Sequence, residues 1–408
     1  MYDPRQGSSN NLKLLYTLTA YPPAVGGAQL LMHQLACQIK ERHRVQVVTQ
    51  WDMQRTDWLL GSTLNAPHIA RAYEIEGVSV QRITLSKEAR RSLKPWVLAY
   101  YLAQGPALAR IADVFAAEIE PWARSADLIH NCRIGREGLS YASFKLARQH
   151  NIPFIVTPVH HPWWSTWLHR YYHSLYRQAD AVIALTAAEQ QTLVHLGVDE
   201  RRIFVTGMGP ILAEKGDGAR FRAQHGLGEA PLVLFLAQKY AYKGVGVLLQ
   251  ATKLVWQCCP ETRFAFIGPR TAYSRGLFVE GSDARILELD TVSLQEKTDA
   301  LAACDMLCLP SSQESFGGVF TEAWSLGKPV LGVDIPAVRT VIEDGVDGLL
   351  TKREPHMIAD RLIYLLERPA LRAHMGERGR AKVNARYTWP RLAERTEQVY
   401  FQVLEGRL

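Results

Sequence analysis

Short apolar segments alternate with longer helical patterns along this sequence, and the rhythm runs twice. The first run holds LKLLYTL (12–18), RVQVVTQ (44–50), VSVQRI (78–83), LIHN (128–131), PFIVTP (153–158), AVIAL (181–185) and IFVTG (203–207). The second holds PLVLFLA (231–237), RFAFIG (263–268), ARILEL (284–289), MLCLP (306–310), PVLGV (329–333) and DGLL (347–350). Apolar strands separated by helices predict parallel sheets covered on both faces. Residues 207–230 interrupt the rhythm with glycines and charges and are expected to be a linker. The expectation is therefore an α/β protein of two doubly wound, Rossmann-like domains facing a central cleft. Residues 1–10 are expected to be a disordered lead-in, 11–206 the first domain and 231–386 the second. A C-terminal helix follows at 387–408, with Thr388 as N-cap, Pro390 in its first turn and the first domain as its candidate packing partner. In sheets of this kind ligands sit at the carboxyl ends of the strands.

Bulk properties narrow the function classes. A net charge of +7 from 47 basic and 40 acidic side chains is too mild and too scattered for a nucleic-acid binder, and no recognition motif accompanies it. None of the six cysteines forms a C-x-x-C pair, which predicts reduced, mostly buried thiols and a cytoplasmic protein. No stretch reaches the roughly 18 apolar residues of a membrane span, so any membrane contact is expected to be peripheral, at the inner face. Its candidates are KEARRSLKPW (Lys87–Trp96) and the aromatic, basic segment WWSTWLHRYYHSLYRQ. No Asp-x-Asp occurs, and the histidines lack paired-ligand spacing apart from His160–His161, so no metal site is expected.

The segment ESFGGVFTEAWSLGKPV (Glu314–Val330) carries the chemistry. It follows the strand MLCLP, and a helix is expected from Phe316 to Leu326, closed by Gly327 and Pro329. Gly317 and Gly318 then offer unobstructed amides at a helix N-terminus, where a phosphate is favoured. Glu314 in the loop and Glu322 just over one turn into the helix suit hydroxyls, since a carboxylate accepts two hydrogen bonds from a vicinal diol. Hydroxyls at both ends with phosphate between them describe a sugar nucleotide.

At these residues the chain resembles the E-x7-E region of retaining GT-B glycosyltransferases, in particular glycosyltransferase family 4, and the resemblance extends over nearly the whole chain. It implies a GT-B fold in which Glu314 and the Phe316–Gly317–Gly318 backbone hold the donor sugar while Glu322 binds the ribose. Lys243–Gly244 matches the family's diphosphate-binding Lys-Gly, but Gln238 stands where members usually carry Arg. The neighbouring Lys239 is a candidate replacement for that charge, although an ammonium does not reproduce a guanidinium fork. Gly26–Gly27 resembles the family's glycine loop near the diphosphate and acceptor. A His near the reacting sugar carbon is implied in HHP, with His161 chosen and His160 second.

The resemblance implies retaining transfer from a nucleotide-diphosphate sugar to a hydroxyl acceptor, whether glycan, lipid-linked or small molecule. Departing charge would be stabilised by Lys243, with Lys239 as a further candidate, and by the Gly317–Gly318 amides, without metal or cofactor. The rival reading is a GT-B-like sugar-nucleotide-binding protein that is weak or inactive in catalysis, favoured by Gln238.

Overall fold

A computed structural model describes residues 11–24, 26–53, 63–65, 67–133, 138–280 and 283–407. The lead-in expected at 1–10 lies outside them. The chain divides into two compact units, Met1–Thr206 with Trp389–Leu408, and Gly207–Thr388.

The first unit comprises β1 (Lys13–Ala20), α1 (Gly27–Ile39), β2 (Arg44–Trp51), β3 (Arg71–Ile75), β4 (Val78–Arg82), α2 (Lys87–Leu98) and α3 (Gln104–Ala123). It continues with β5 (Leu128–Cys132), α4 (Gly138–Gln149), β6 (Phe154–Thr157), α5 (Arg170–Gln178), β7 (Ala181–Ala184), α6 (Ala187–His195) and β8 (Ile203–Val205). Among the described residues its sheet runs β3-β4-β2-β1-β5-β6-β7-β8. The strand order reverses direction between β1 and β5, which pair in parallel from Leu14↔Leu128 to Leu18↔Cys132. The sheet is mixed rather than wholly parallel: β3 pairs antiparallel with β4 at one edge. No residue of β3 is buried, so it lacks the apolar run that marks the inner strands. Strands β5, β6 and β7 are buried along their whole length, as parallel strands with helices on both faces must be.

The second unit comprises α7 (Gly218–Gln224), β9 (Leu232–Leu236), α8 (Val245–Cys258), β10 (Arg263–Ile267), α9 (Ala272–Glu280), β11 (Ile286–Leu289) and α10 (Leu294–Ala303). Then follow β12 (Met306–Leu309), α11 (Gly318–Ser325), β13 (Val330–Val333), α12 (Pro336–Arg339), β14 (Gly348–Thr351), α13 (Pro355–Leu366) and α14 (Pro369–Arg386). The sheet order is β11-β10-β9-β12-β13-β14, parallel throughout, with its reversal between β9 and β12.

Residues 207–230, set aside from the sequence as a linker, are laced into this unit. Ala213 N–H donates to Thr298 Oγ1 at 2.9 Å and Asp217 N–H to Asp299 Oδ1 at 2.7 Å. Asp217 also caps α7 by accepting from Arg220 N–H. The glycines and charges that broke the apolar rhythm are the means of this attachment.

The last helix, α15 (Trp389–Leu404), belongs to the first unit. Its Tyr400 hydroxyl lies 2.8 Å from Tyr16 Oη and 2.7 Å from His130 Nδ1, all fully buried. Glu397 binds Arg42 Nε at 2.8 Å and His43 Nε2 at 3.0 Å. Such a network holds one docking angle, because each buried polar atom left unpaired costs roughly 1–3 kcal/mol.

Candidate functional site

In the second unit the strand-order reversal places the carboxyl ends of β9 and β12 side by side, the position at which doubly wound sheets bind ligands. The loop after β9 ends in a 3-10 turn, Ala241–Lys243, and Gly244 at φ 86°. A side chain at Gly244 would lie 2.1 Å from the Pro310 carbonyl, so only glycine lets this turn press against the end of β12. The two loops are joined by Ser312 N–H donating to the Tyr242 carbonyl at 2.8 Å. Arg353, beyond β14, spans both through Ala241 O at 2.6 Å and Pro310 O at 3.2 Å.

This closeness brings Lys243 Nζ to 2.6 Å from Glu314 Oε1. The second glutamate has its own lysine: Lys297 Nζ, on α10, lies 2.7 Å from Glu322 Oε1 and donates to Ile211 O at 2.6 Å. Glu322 is buried, and burial pushes its carboxyl pKa upward against the opposing pull of Lys297. Its other oxygen, Oε2, is buried with no hydrogen-bond partner among the described residues. A buried acceptor in that state is suited to an incoming hydroxyl.

Between the carboxylates, α11 begins two residues later than the sequence pattern suggested. Gly317 is its N-cap at φ 86° and Gly318 its first residue. A Cβ at Gly317 would meet the Phe320 ring at 2.5 Å, and one at Gly318 the Met208 sulfur at 2.9 Å. Phe316 is buried with its ring edge-on to Tyr387 at 5.4 Å, so only its backbone is available to a ligand.

Lys239 does not take the place proposed for it. Beyond β9 the chain turns tightly at Lys239, with Tyr240 N–H donating to the Gln238 carbonyl at 2.8 Å, and Gln238 is exposed while Lys239 is buried. Its ammonium is fully buried and paired with Glu288. Burial depresses its pKa, with Glu288 opposing. Glu288 also receives Arg270 from the end of β10 (Nε to Oε2, 2.9 Å). Sequence reasoning passed over Lys297, Arg270 and Arg353, since single cations on helices and loops carry no spacing signal.

In the first unit Gly26, with extended backbone, precedes α1, and Gly27 opens it. At Gly27 a side chain would meet nothing within 4 Å. At the end of β6, Val159 adopts φ 46°, a conformation costing a β-branched residue roughly 1–2 kcal/mol. His160 and His161 follow it and part company. His160 is buried against Trp164, Tyr176 and His173, and burial drives its pKa down to about 3. Its backbone N–H donates to Glu189 Oε1 at 2.6 Å, and Leu185 N–H to Glu189 Oε2 at 2.7 Å. Burial raises the Glu189 pKa to about 7. His161 is half-buried, its ring edge-on to Trp164 at 5.1 Å. Beneath this loop the buried Arg133, at the end of β5, stacks on Trp164 and Tyr172 at 4.5 and 4.1 Å.

Comparison with known proteins assigns both units. Residues 217–382 match the family described as Glycosyl transferases group 1, and residues 26–209 match the Glycosyl transferase 4-like domain. D-inositol 3-phosphate glycosyltransferase of Xylanimonas cellulosilytica is 31% identical over 249 residues, 56% of this chain and 58% of that protein. Phosphatidyl-myo-inositol mannosyltransferase of Mycobacterium leprae is 32% identical over 171 residues, 41% of this chain and 46% of that protein. The chain thus spans about half the length of the curated relatives it matches. Among solved structures, Anabaena HepE in complex with UDP and glucose superposes with a TM-score of 0.72 at 20% identity, covering 96% of this chain and all of that one. Sucrose-phosphate synthase from Thermosynechococcus elongatus gives 0.76 at 19% identity, covering 96% and 99%. At such identities the likeness establishes the fold. Two doubly wound units, each carrying its own family match, place this chain among the group 1 glycosyltransferases of family 4, with the GT-B fold.

Proposed function

We propose that this protein is a retaining glycosyltransferase that moves a sugar from a nucleotide-diphosphate donor to a hydroxyl acceptor. The carrying observation is the pair of separately neutralised carboxylates around the N-terminus of α11: Glu314 with Lys243 and Glu322 with Lys297. In this reading Glu322 Oε2 accepts from a ribose hydroxyl. The diphosphate takes over Lys243 and meets the Gly317 and Gly318 amides, releasing Glu314 to the sugar hydroxyls. Charge that develops on the leaving diphosphate is then met by fixed donors. Gly26 and Gly27 are assigned to the donor as well, and His161 to transfer rather than to nucleotide affinity. UDP-glucose, bound by Anabaena HepE, is the first donor to try, with UDP as the ligand for binding assays.

Gln238 supports a second reading, a sugar-nucleotide binder weak in catalysis. Its exposed amide offers the diphosphate no charge, and Lys239 is committed to Glu288. A panel of nucleotide sugars, followed by NMR of the product or of the hydrolysed donor, separates the two. Transfer or hydrolysis with the donor's anomeric configuration kept, at equal rates with and without added magnesium or manganese, is expected. An inverted product would overturn retention, and tight donor binding without turnover would select the second reading. The acceptor is proposed to be a hydroxyl presented at a lipid surface, consistent with the phosphatidyl-myo-inositol mannosyltransferase relative and with the exposed apolar side chains Leu98, Leu102, Trp163 and Trp167.

A further inference from the structure

In the first unit, on the helix that Gly27 opens and at the hairpin beside it, three ligating side chains of different chemistry converge. His33 and Cys37 stand one helical turn apart on the same face of α1. Glu76 reaches them from the turn between β3 and β4. Cys37 Sγ lies 3.6 Å from His33 Nε2 and 3.6 Å from Glu76 Oε2, and His33 Nε2 lies 3.5 Å from that same oxygen.

These separations are those of sulfur hydrogen bonds and an ion pair, and they also fit metal coordination. Zinc binds thiolate sulfur at about 2.3 Å, imidazole nitrogen at about 2.0–2.1 Å and carboxylate oxygen at about 2.0–2.2 Å. At a tetrahedral angle those bonds place the three ligand atoms about 3.4–3.6 Å apart. Thiolate and carboxylate together would balance the charge of a divalent ion. The surroundings suit the role too. Tyr21 Oη lies 2.8 Å from His33 Nδ1, so a proton on Nδ1 leaves Nε2 free to coordinate, the usual arrangement behind a metal-bound histidine. The turn carrying Glu76 is clamped in place, with Lys40 Nζ donating to the Glu76 carbonyl and Tyr73 Oη to Pro22 O at 2.7 Å. Glu76 itself sits at φ 48° and Gly77 at φ 71°. Two positive φ values in a hairpin turn favour Asn or Gly, and glutamate is out of place there on conformational grounds alone.

We propose that His33, Cys37 and Glu76 form a three-ligand site for zinc or a similar thiophilic divalent cation, with its fourth position open to solvent. The ion would clip the edge hairpin β3–β4 to α1. It takes no part in the transfer chemistry.

The test uses the full chain, stripped with EDTA and titrated with cobalt, then zinc. One equivalent of cobalt should give the thiolate-to-cobalt charge-transfer band and the visible absorption of a tetrahedral ion, and one equivalent of zinc should abolish both. Cys258 and Cys259, exposed and half-buried on α8 and just beyond it, are the competing thiols. The bands should therefore survive in Cys258→Ser/Cys259→Ser and disappear in Cys37→Ser. Glu76→Asn suits the turn better than the native residue, so the metal-free variant should melt no lower than wild type while its cobalt affinity falls at least tenfold. Bands that persist in Cys37→Ser, bands lost in the Cys258→Ser/Cys259→Ser control, unchanged affinity in Glu76→Asn, or no stoichiometric binding by wild type would each overturn the site.

Discussion

Glu314 and Glu322 belong to one short segment, yet different lysines hold them, and their burial serves different ends. Glu314 sits in the loop with Lys243, which the diphosphate would draw away. Glu322 is inside α11, with one oxygen fixed by Lys297 and the other without a hydrogen-bond partner among the described residues. Glu322→Gln should therefore weaken the nucleoside diphosphate and the intact donor alike, by about 1.5–3 kcal/mol or roughly ten- to hundredfold. Glu314→Gln frees Lys243 from its partner, so diphosphate affinity should hold or rise while turnover collapses. Calorimetry with both ligands, and circular dichroism to check the fold, decides it; equal losses of diphosphate affinity would show that the two acids are not divided between sugar and ribose. Both carboxylates, the glycine pair and Lys243 were readable in the sequence because the strand end, the helix start and the Lys-Gly step all leave local marks. Lys297 was not, since its meeting with Glu322 depends on how α10 packs beside α11. Lys239 was misread for a related reason: a tight turn at that residue buries its side chain against Glu288 while Gln238 stays exposed, and neighbours in sequence need not share an environment.

At the scale of elements, the buried strands were legible as apolar runs, whereas β3 and the 207–217 segment were not. An edge strand with no buried residue has no hydrophobic signature, and a segment held by side-chain-to-backbone hydrogen bonds reads as a loop. Helix α15 was visible as a helix, but the hydroxyls of Tyr16 and Tyr400 and the His130 ring, which fix its place, are scattered along the chain. His130 also makes this docking sensitive to acid. Its ring nitrogens meet Tyr400 Oη and Thr157 Oγ1, and burial drives its pKa from 6.5 to about 3. A histidine depressed in the folded state contributes its stability fully above pH 6.5, and that contribution drains away as pH falls toward 3, because the unfolded chain takes the proton first. Over the interval from pH 6.5 to roughly pH 5 the drain amounts to about 2 kcal/mol. His130→Asn removes the titrating ring, so its destabilisation relative to wild type should shrink by about that much between neutral pH and pH 5. Urea unfolding of both proteins at the two pH values measures it, and a pH-independent difference would mean that His130 can take up a proton where it lies.

At the scale of the molecule, no helix among the described residues is long and apolar enough to cross a membrane. The first unit carries a candidate surface for contact with lipid. Helix α2 exposes Lys87, Arg91 and Lys94, and just beyond them Leu98, Tyr101 and Leu102 stand in solvent, Leu102 at 93% exposure. Trp163, Trp167 and Leu168 are exposed on the loop before α5. The two groups are neighbours, because Gln104 Nε2 donates to the Leu168 carbonyl at 3.3 Å. Isolated exposed apolar residues are ordinary, but aromatic and aliphatic side chains gathered beside lysines and arginines suit an anionic bilayer. The net charge of +7 adds a long-range attraction that salt would screen. The protein should therefore sediment with vesicles containing anionic lipid and much less with neutral ones, and added salt should release it. Replacing Leu98 and Leu102 with serine removes apolar surface without touching the charges, so affinity should fall roughly tenfold or more while the salt dependence persists. Equal sedimentation with neutral and anionic vesicles, or an undiminished affinity in the double variant, would leave this surface without a lipid role and return the acceptor to the aqueous phase.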